Sequence, residues 1–299
     1  AAESFRRIAE GGSHYAQRAR LALAEWNALQ GDAESAKNEL RRISSDDPAT
    51  RERSDYLALF LADTGDPETD PQVGKMAEAF LAAYPASSFE PEVRMKLGEM
   101  LYRRGDFLGA RGQFGIVAEE FPDSPLAEKA IFLSARAMAR SMDPDAMELA
   151  IEEFERVVKE NGPLAQRARF EEAVLFNALK RPKEALGILD GILAAQPDSD
   201  LRYTTLVEKG DTLFALGTQD PENFRAAIGA WNVIAGDQSA PKLWHHQAFA
   251  KIGAAREKLG EYDAALDAYY QVISAPQEGE PEYFWYYKAG FDAGRLLEE

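Results

Sequence analysis

Residues 97–125 read LGEMLYRRGDFLGARGQFGIVAEEFPDSP, and this stretch sets the architecture. The spacing predicts one helix, a turn at Gly105-Asp106, a second helix and a stop at Pro122. Small residues, Gly98 and Ala110, stand opposite aromatics, Tyr102, Phe107 and Phe114, at helical spacing.

The same template recurs along the chain. An alanine, at Ala36, Ala110, Ala150, Ala185, Ala227 and Ala265, marks where a second helix crosses the first; Val73 fills the place once, and Ala1 opens the series. Seven residues later comes a larger apolar side chain: Ile8, Ile43, Phe80, Val117, Val157, Ile192, Ile234 or Val272. Between them sits Phe5, Leu40, Ala77, Phe114, Phe154, Leu189, Trp231 or Tyr269. These positions, i, i+4 and i+7, lie on one helix face, and a steady period near 37 residues signals internal repetition. Pro48, Pro85, Pro122 and Pro197 follow the last apolar position and are read as helix stops. Gly31, Gly105, Gly217 and Gly260 are read as left-handed caps inside each repeat. Gly98, Gly210 and Gly253 fall in mid-helix, where glycine costs about 1 kcal/mol relative to alanine; they make sense where a neighbouring group leaves no room for a side chain.

Two segments carry a family resemblance: KIGAAREKLGEYDAALDAYYQVI (251–273) and KLGEMLYRRGDFLGARGQFGIV (96–117) resemble tetratricopeptide repeats. Gly253, Leu259, Gly260, Tyr262, Ala265, Tyr269 and Val272 match that family's signature. The resemblance implies an all-α, right-handed α-α superhelix of about seven helix pairs, with an orphan helix at each end. The expected repeats are 14–48, 49–85, 86–122, 123–163, 164–197, 198–239 and 240–277, with half repeats 1–13 and 278–299, in one solenoid excised from a longer array. The linkers YPASSFEPEV (84–93), FPDSPLAEKA (121–130) and QPDSDLRY (196–203) resemble those of bacterial cell-envelope repeat proteins, the outer-membrane assembly lipoproteins and the Tol-Pal coordinator among them. That likeness favours a periplasmic or envelope setting; Pro-x-Ser before a helix is also plain capping chemistry.

A net charge of −17 argues against a nucleic-acid surface, which needs basic stripes. The absence of cysteine removes disulfides, thiolate metal sites and thiol nucleophiles, and no apolar run reaches the length of a membrane span. His14, His245 and His246 do not have the i, i+4 spacing of a helical metal pair, and no catalytic triad, phosphate loop or calcium loop is present. No Asp or Glu is expected in an apolar pocket that would raise its pKa. The expectation is a non-catalytic scaffold without cofactor or metal.

By resemblance, the first helix of each pair lines a concave groove for a peptide or protein. That places Leu21, Met95, Phe132, Phe170 and Val207 as an apolar spine, beside Glu99, Tyr102, Arg136, Arg140, Asn177, Asp211 and Phe214. The same spine residues also fit interhelical core. Arg136, Arg140, Arg167 and Arg169 suit a carboxylate, or else pairing with Glu152, Glu153, Glu171 and Glu172. The family's chaperone-tail clamp uses asparagines and lysines; the matching positions here are Glu25, Glu99, Arg136, Val174 and Asp211, so that activity is not implied. The aromatic run Tyr283–Tyr287 with Phe291 cannot face one way on a helix. Two other readings stay open: the accessory arm of a larger enzyme, such as one acting on cell walls, and a homo-oligomerisation module.

Overall fold

Alternating first and second helices follow from the repeat's own chemistry, and the turn inside the third repeat shows how. In the computed structural model Gly105 takes φ +79°, a conformation that side chains disfavour, and so closes the first helix. The next residue, Asp106, accepts a hydrogen bond from the Gly109 amide at 2.9 Å and opens the second helix. Asp32 caps in the same way on Ser35, at 3.0 Å. Gly31 and Gly260 share the left-handed turn, and Lys180 takes it at φ 61° without being glycine.

The structure describes residues 2–11, 15–141, 143–275 and 283–298, so Ala1 and His14 lie outside the described residues. Among the described residues sixteen α-helices form and no strand. They are α1 (Ala2–Glu10), α2 (Ala16–Leu29), α3 (Ala33–Arg41), α4 (Pro48–Ala62), α5 (Asp70–Ala83), α6 (Glu90–Arg103), α7 (Phe107–Glu120) and α8 (Ala127–Ala139). Then follow α9 (Pro144–Glu160), α10 (Ala165–Ala178), α11 (Pro182–Ala194), α12 (Ser199–Leu216), α13 (Glu222–Ala235), α14 (Lys242–Lys258), α15 (Tyr262–Ile273) and α16 (Tyr283–Glu298). The chain divides into two compact units, Ala1–Ala146 and Met147–Glu299. In the first, α6 packs on α7 and α7 on α8; in the second, each helix from α10 to α15 packs on its successor.

The triad read from the sequence is the core of both units. In six of seven complete pairs all three residues are at most 3% exposed, from Val73, Ala77 and Phe80 to Ala265, Tyr269 and Val272. The exception is α3, where Ala36 is buried but Leu40 and Ile43 are half-exposed. A cleft of about 730 Å³ opens beside them, between α3, α4 and α5.

The mid-helix glycines have a direct reason. Phe114, Trp231 and Tyr269, the middle residues of their triads, lie against Gly98, Gly210 and Gly253, and a Cβ at any of the three would overlap the ring. At Gly98 it would stand 2.5 Å from Phe114 Cε1. Where the first helix carries alanine instead, as at Ala173, the smaller Leu189 fills the place. The pair is matched by total size, which is what close packing of interiors demands.

Two punctuation readings need correction. Pro48 is the first residue of α4, where its missing N–H is no loss, and does not end α3. Gly217 has φ −60° and is no left-handed cap; it is small because Phe224 packs onto it.

Candidate partner-binding surface

Four of the five spine residues proposed as anchors belong to the interhelical core. Leu21, Met95, Phe132 and Val207 are 7%, 4%, 6% and 8% exposed. Met95 packs with Ala110 and Phe114, and Val207 with Ile228 and Trp231. The physical reason is rotation: one residue turns a helical side chain by about 100°, enough to move it from open face to core. Phe170 is half-buried against Ala173 and Leu189. Phe214 is half-buried too, its ring 5.1 Å from Phe224 and 6.1 Å from Trp231.

Within each unit, polar residues of the same helices form a ladder from one first helix to the next. In the first unit, Lys129 donates to Glu99 at 2.7 Å, and Arg140 donates to the Tyr102 hydroxyl at 3.0 Å. The Arg136 guanidinium lies 5.9 Å from the Tyr102 ring and 5.8 Å from that of Phe132. Asp63, at the end of α4, pairs with Lys96 at 2.9 Å and Arg103 at 3.1 Å. Arg103 also donates to the fully buried Asp70 at 2.6 Å.

In the second unit the Asn177 amide donates to Glu208 and to the Thr212 hydroxyl, each at 2.7 Å. Lys251 donates to both oxygens of Asp211, at 2.6 and 2.8 Å, and Arg295 pairs with Glu257. These contacts run α10 to α12, α12 to α14 and α14 to α16. Between α10 and α12 they border a cleft of about 410 Å³, lined by Asn177, Lys180, Glu208, Asp211, Thr212, Ala215 and Gln219 among others. Burial raises the pKa of Glu208 while the Asn177 hydrogen bond lowers it; burial likewise raises Asp211, against Lys251. A desolvated, already bonded polar cleft recognises hydrogen-bonding groups with little reordering of its own side chains.

The structure thus brings Asn177 and Asp211 to one cleft and leaves Phe214 out of its lining. Sequence reasoning missed Glu208, Thr212 and Lys180. The signal for Glu208 and Thr212 was the stripe Glu208, Asp211, Thr212 and Ala215, at i, i+3, i+4 and i+7 on one face of α12.

The four arginines divide between the two units and each is engaged locally. Arg136 and Arg140, in the first unit, engage Tyr102; Arg167, in the second, pairs with Asp200 at 3.5 Å. Arg169 acts on Glu172, which corrects the expectation that no carboxyl is strongly perturbed. Glu172 is 7% exposed and its Oε1 has no hydrogen-bond partner. Burial, helped by Glu155 and opposed by Arg169 and Lys159, pushes its pKa up to about 7. His245 contacts the Asp237 carbonyl at 2.6 Å, and His246 is buried. Among the described residues no cluster of His, Cys, Asp or Glu suits a metal, and no helix is long and apolar enough to cross a membrane.

Comparison with known proteins agrees with the fold. Family profiles described as tetratricopeptide repeat match residues 92–124 and 148–200. No curated protein matches the chain in sequence. Among solved structures, a tetratricopeptide repeat protein from Parabacteroides merdae ATCC 43184 aligns over 92% of this chain and 98% of its own, at 13% identity and TM-score 0.62. The apo form of RapI aligns over 99% and 91%, at 15% identity and TM-score 0.60. Yeast Tom70 aligns over 99% of this chain and 58% of its own, at 15% identity and TM-score 0.55. At these identities the likeness is one of fold. With its glycine-aromatic helix pairs and these neighbours, the chain has the all-α tetratricopeptide-repeat fold, and two of its segments match tetratricopeptide-repeat profiles.

Proposed function

We propose that the chain is a non-catalytic scaffold that holds a peptide or protein partner on the face built by its first helices. The fold supports a protein-protein interaction role. The observation that carries the finer reading is the cleft between α10 and α12. There Asn177, Glu208 and Thr212 are held in place by one another, and Lys180, Ala215 and Gln219 remain to be covered. Its volume suits side chains of an extended segment rather than a large cofactor. Glu99, Tyr102, Arg136 and Arg140 offer a separate polar surface on the first unit. Linker resemblance favours a bacterial envelope setting for this activity.

The test is a crosslinked pull-down from envelope and cytosolic extracts. The baits are the parent and a Lys180→Glu, Ala215→Glu variant, both changes falling at exposed positions that leave the core intact. Phe132→Glu is unsuitable, because that ring is buried and its loss disrupts folding. The proposal expects a partner captured by the parent and lost by the variant. Equal capture by both would contradict it.

A further inference from the structure

Glu208, on the first-helix face, lacks the cation that neighbouring carboxylates have. In the second unit Asp200 pairs with Arg167 at 3.5 Å, Asp211 with Lys251 at 2.6 Å, and Glu257 with Arg295. In the first unit Glu99 pairs with Lys129 at 2.7 Å and Asp63 with Lys96 at 2.9 Å. Glu208 receives only a neutral donor, the Asn177 amide, on Oε1. Among the described residues nothing donates to its Oε2, and no cation stands within ion-pair distance of it.

The carboxylate is fixed in place. Asn177 donates both to Glu208 and to the Thr212 hydroxyl, and Thr212 donates back to the Glu208 carbonyl oxygen at 2.8 Å. The charges that face it, Asp211 and Lys251, already serve each other. Lys251 is held further by the rings of Trp231 and Trp285, 5.8 and 5.6 Å away, and is not free to turn to Glu208. Lys180, on the α10 side of the same cleft, is exposed and too far away to pull on the Glu208 charge. A carboxylate half-buried without a cation weakens the fold, and such groups gather where a ligand completes them.

Taking the cleft between α10 and α12 as the partner site proposed above, we infer that the partner supplies the missing cation, a lysine or arginine side chain that pairs with Glu208 Oε2. Glu208 has already given up part of its hydration, so a cation placed there gains more than it would in water. Ala215 lies two turns further along the same face of α12, where the aliphatic stem of either side chain covers its exposed methyl. The Lys180 ammonium meets the main-chain carbonyls of the same segment on the α10 side. An acidic segment would instead set a second unpaired carboxylate beside Glu208. The chain's net charge of −17 draws basic segments and repels acidic ones.

Selection of a displayed library of short random peptides on the whole chain tests the pairing, at about 150 mM salt to screen long-range attraction. The expected peptides share one lysine or arginine. In fluorescence anisotropy, replacing that residue by norleucine weakens binding to the parent at least about tenfold and has little effect on binding to Glu208→Gln. Glu208→Gln still accepts from Asn177 and melts no lower than the parent by circular dichroism, so lost binding is not lost fold. A basic residue whose loss weakens binding to parent and Glu208→Gln alike would overturn the pairing. Ala215→Trp, at an exposed position, fills the cleft without adding charge and separates the remaining outcomes. Peptides that it blocks but that share no basic residue would overturn the cation and leave the cleft as the partner site. Peptides that it does not affect, or no enriched peptide at all, would overturn both.

Discussion

Glu172→Gln should stabilise the second unit at neutral pH and above, and have little effect in acid. Glu172 is buried in α10 with one carboxyl oxygen unbonded, and its pKa rises from 4.5 to about 7 in the fold. The folded state therefore binds the proton more tightly than the unfolded chain does. Stability from this group is complete below pH 4.5, declines as pH rises from 4.5 to about 7, and is lost above that. At about 1.4 kcal/mol per tenfold change in proton affinity, the ionised carboxylate costs about 3 kcal/mol of folding stability. Glutamine keeps the shape and never ionises. Urea titrations of parent and variant at several pH values give the difference directly. The groups facing Glu172, namely Glu155, Lys159 and Arg169, remain in both proteins, so their own effects largely cancel. The variant should match the parent near pH 4.5 and exceed it by about 3 kcal/mol at pH 8. A difference that does not change with pH would refute the reasoning.

Five further substitutions probe the packing. Gly210→Ala drives a methyl into Trp231 and should cost about 2 kcal/mol or more, whereas Gly187→Ala, with nothing within 4 Å, should stabilise its helix by about 0.5–1 kcal/mol; opposite signs in chemical denaturation are the check. Ala110→Leu or Ala265→Leu, at crossings with no exposed surface, should each cost about 1–3 kcal/mol, read as a lower melting temperature. Arg103→Met strips the fully buried Asp70 of its ion-pair partner and should cost about 3 kcal/mol in the same assay.

The repeat architecture was legible because its signal is local and periodic. Ala110, Phe114 and Val117 recur in register, and Gly98, Gly210 and Gly253 were odd enough in mid-helix to predict a close approach. The structure supplied the partners, Phe114, Trp231 and Tyr269, each sixteen or twenty-one residues downstream. The candidate surface was less legible, because it depends on how each helix is rotated about its axis. Met95 and Val207 went to the core on that account, while Glu99 and Asp211 kept to the ladder. Glu172 looked like part of a solvated run, Arg169-Phe170-Glu171-Glu172, and only its proximity to α9 shows that it is buried. The half-exposed Leu40 and Ile43 break a triad that reads as complete in sequence, because the gap beside them arises from how α3 sits against α4 and α5.

The central functional claim, that the first-helix face holds the partner, is tested most directly by photocrosslinking from single positions. A photoreactive side chain at Ala215, in the cleft on α12, is compared with one at Glu152, exposed on the second helix α9. The account predicts a discrete adduct from position 215 and none from position 152. An adduct from 152 alone, or equal labelling from both, would contradict it.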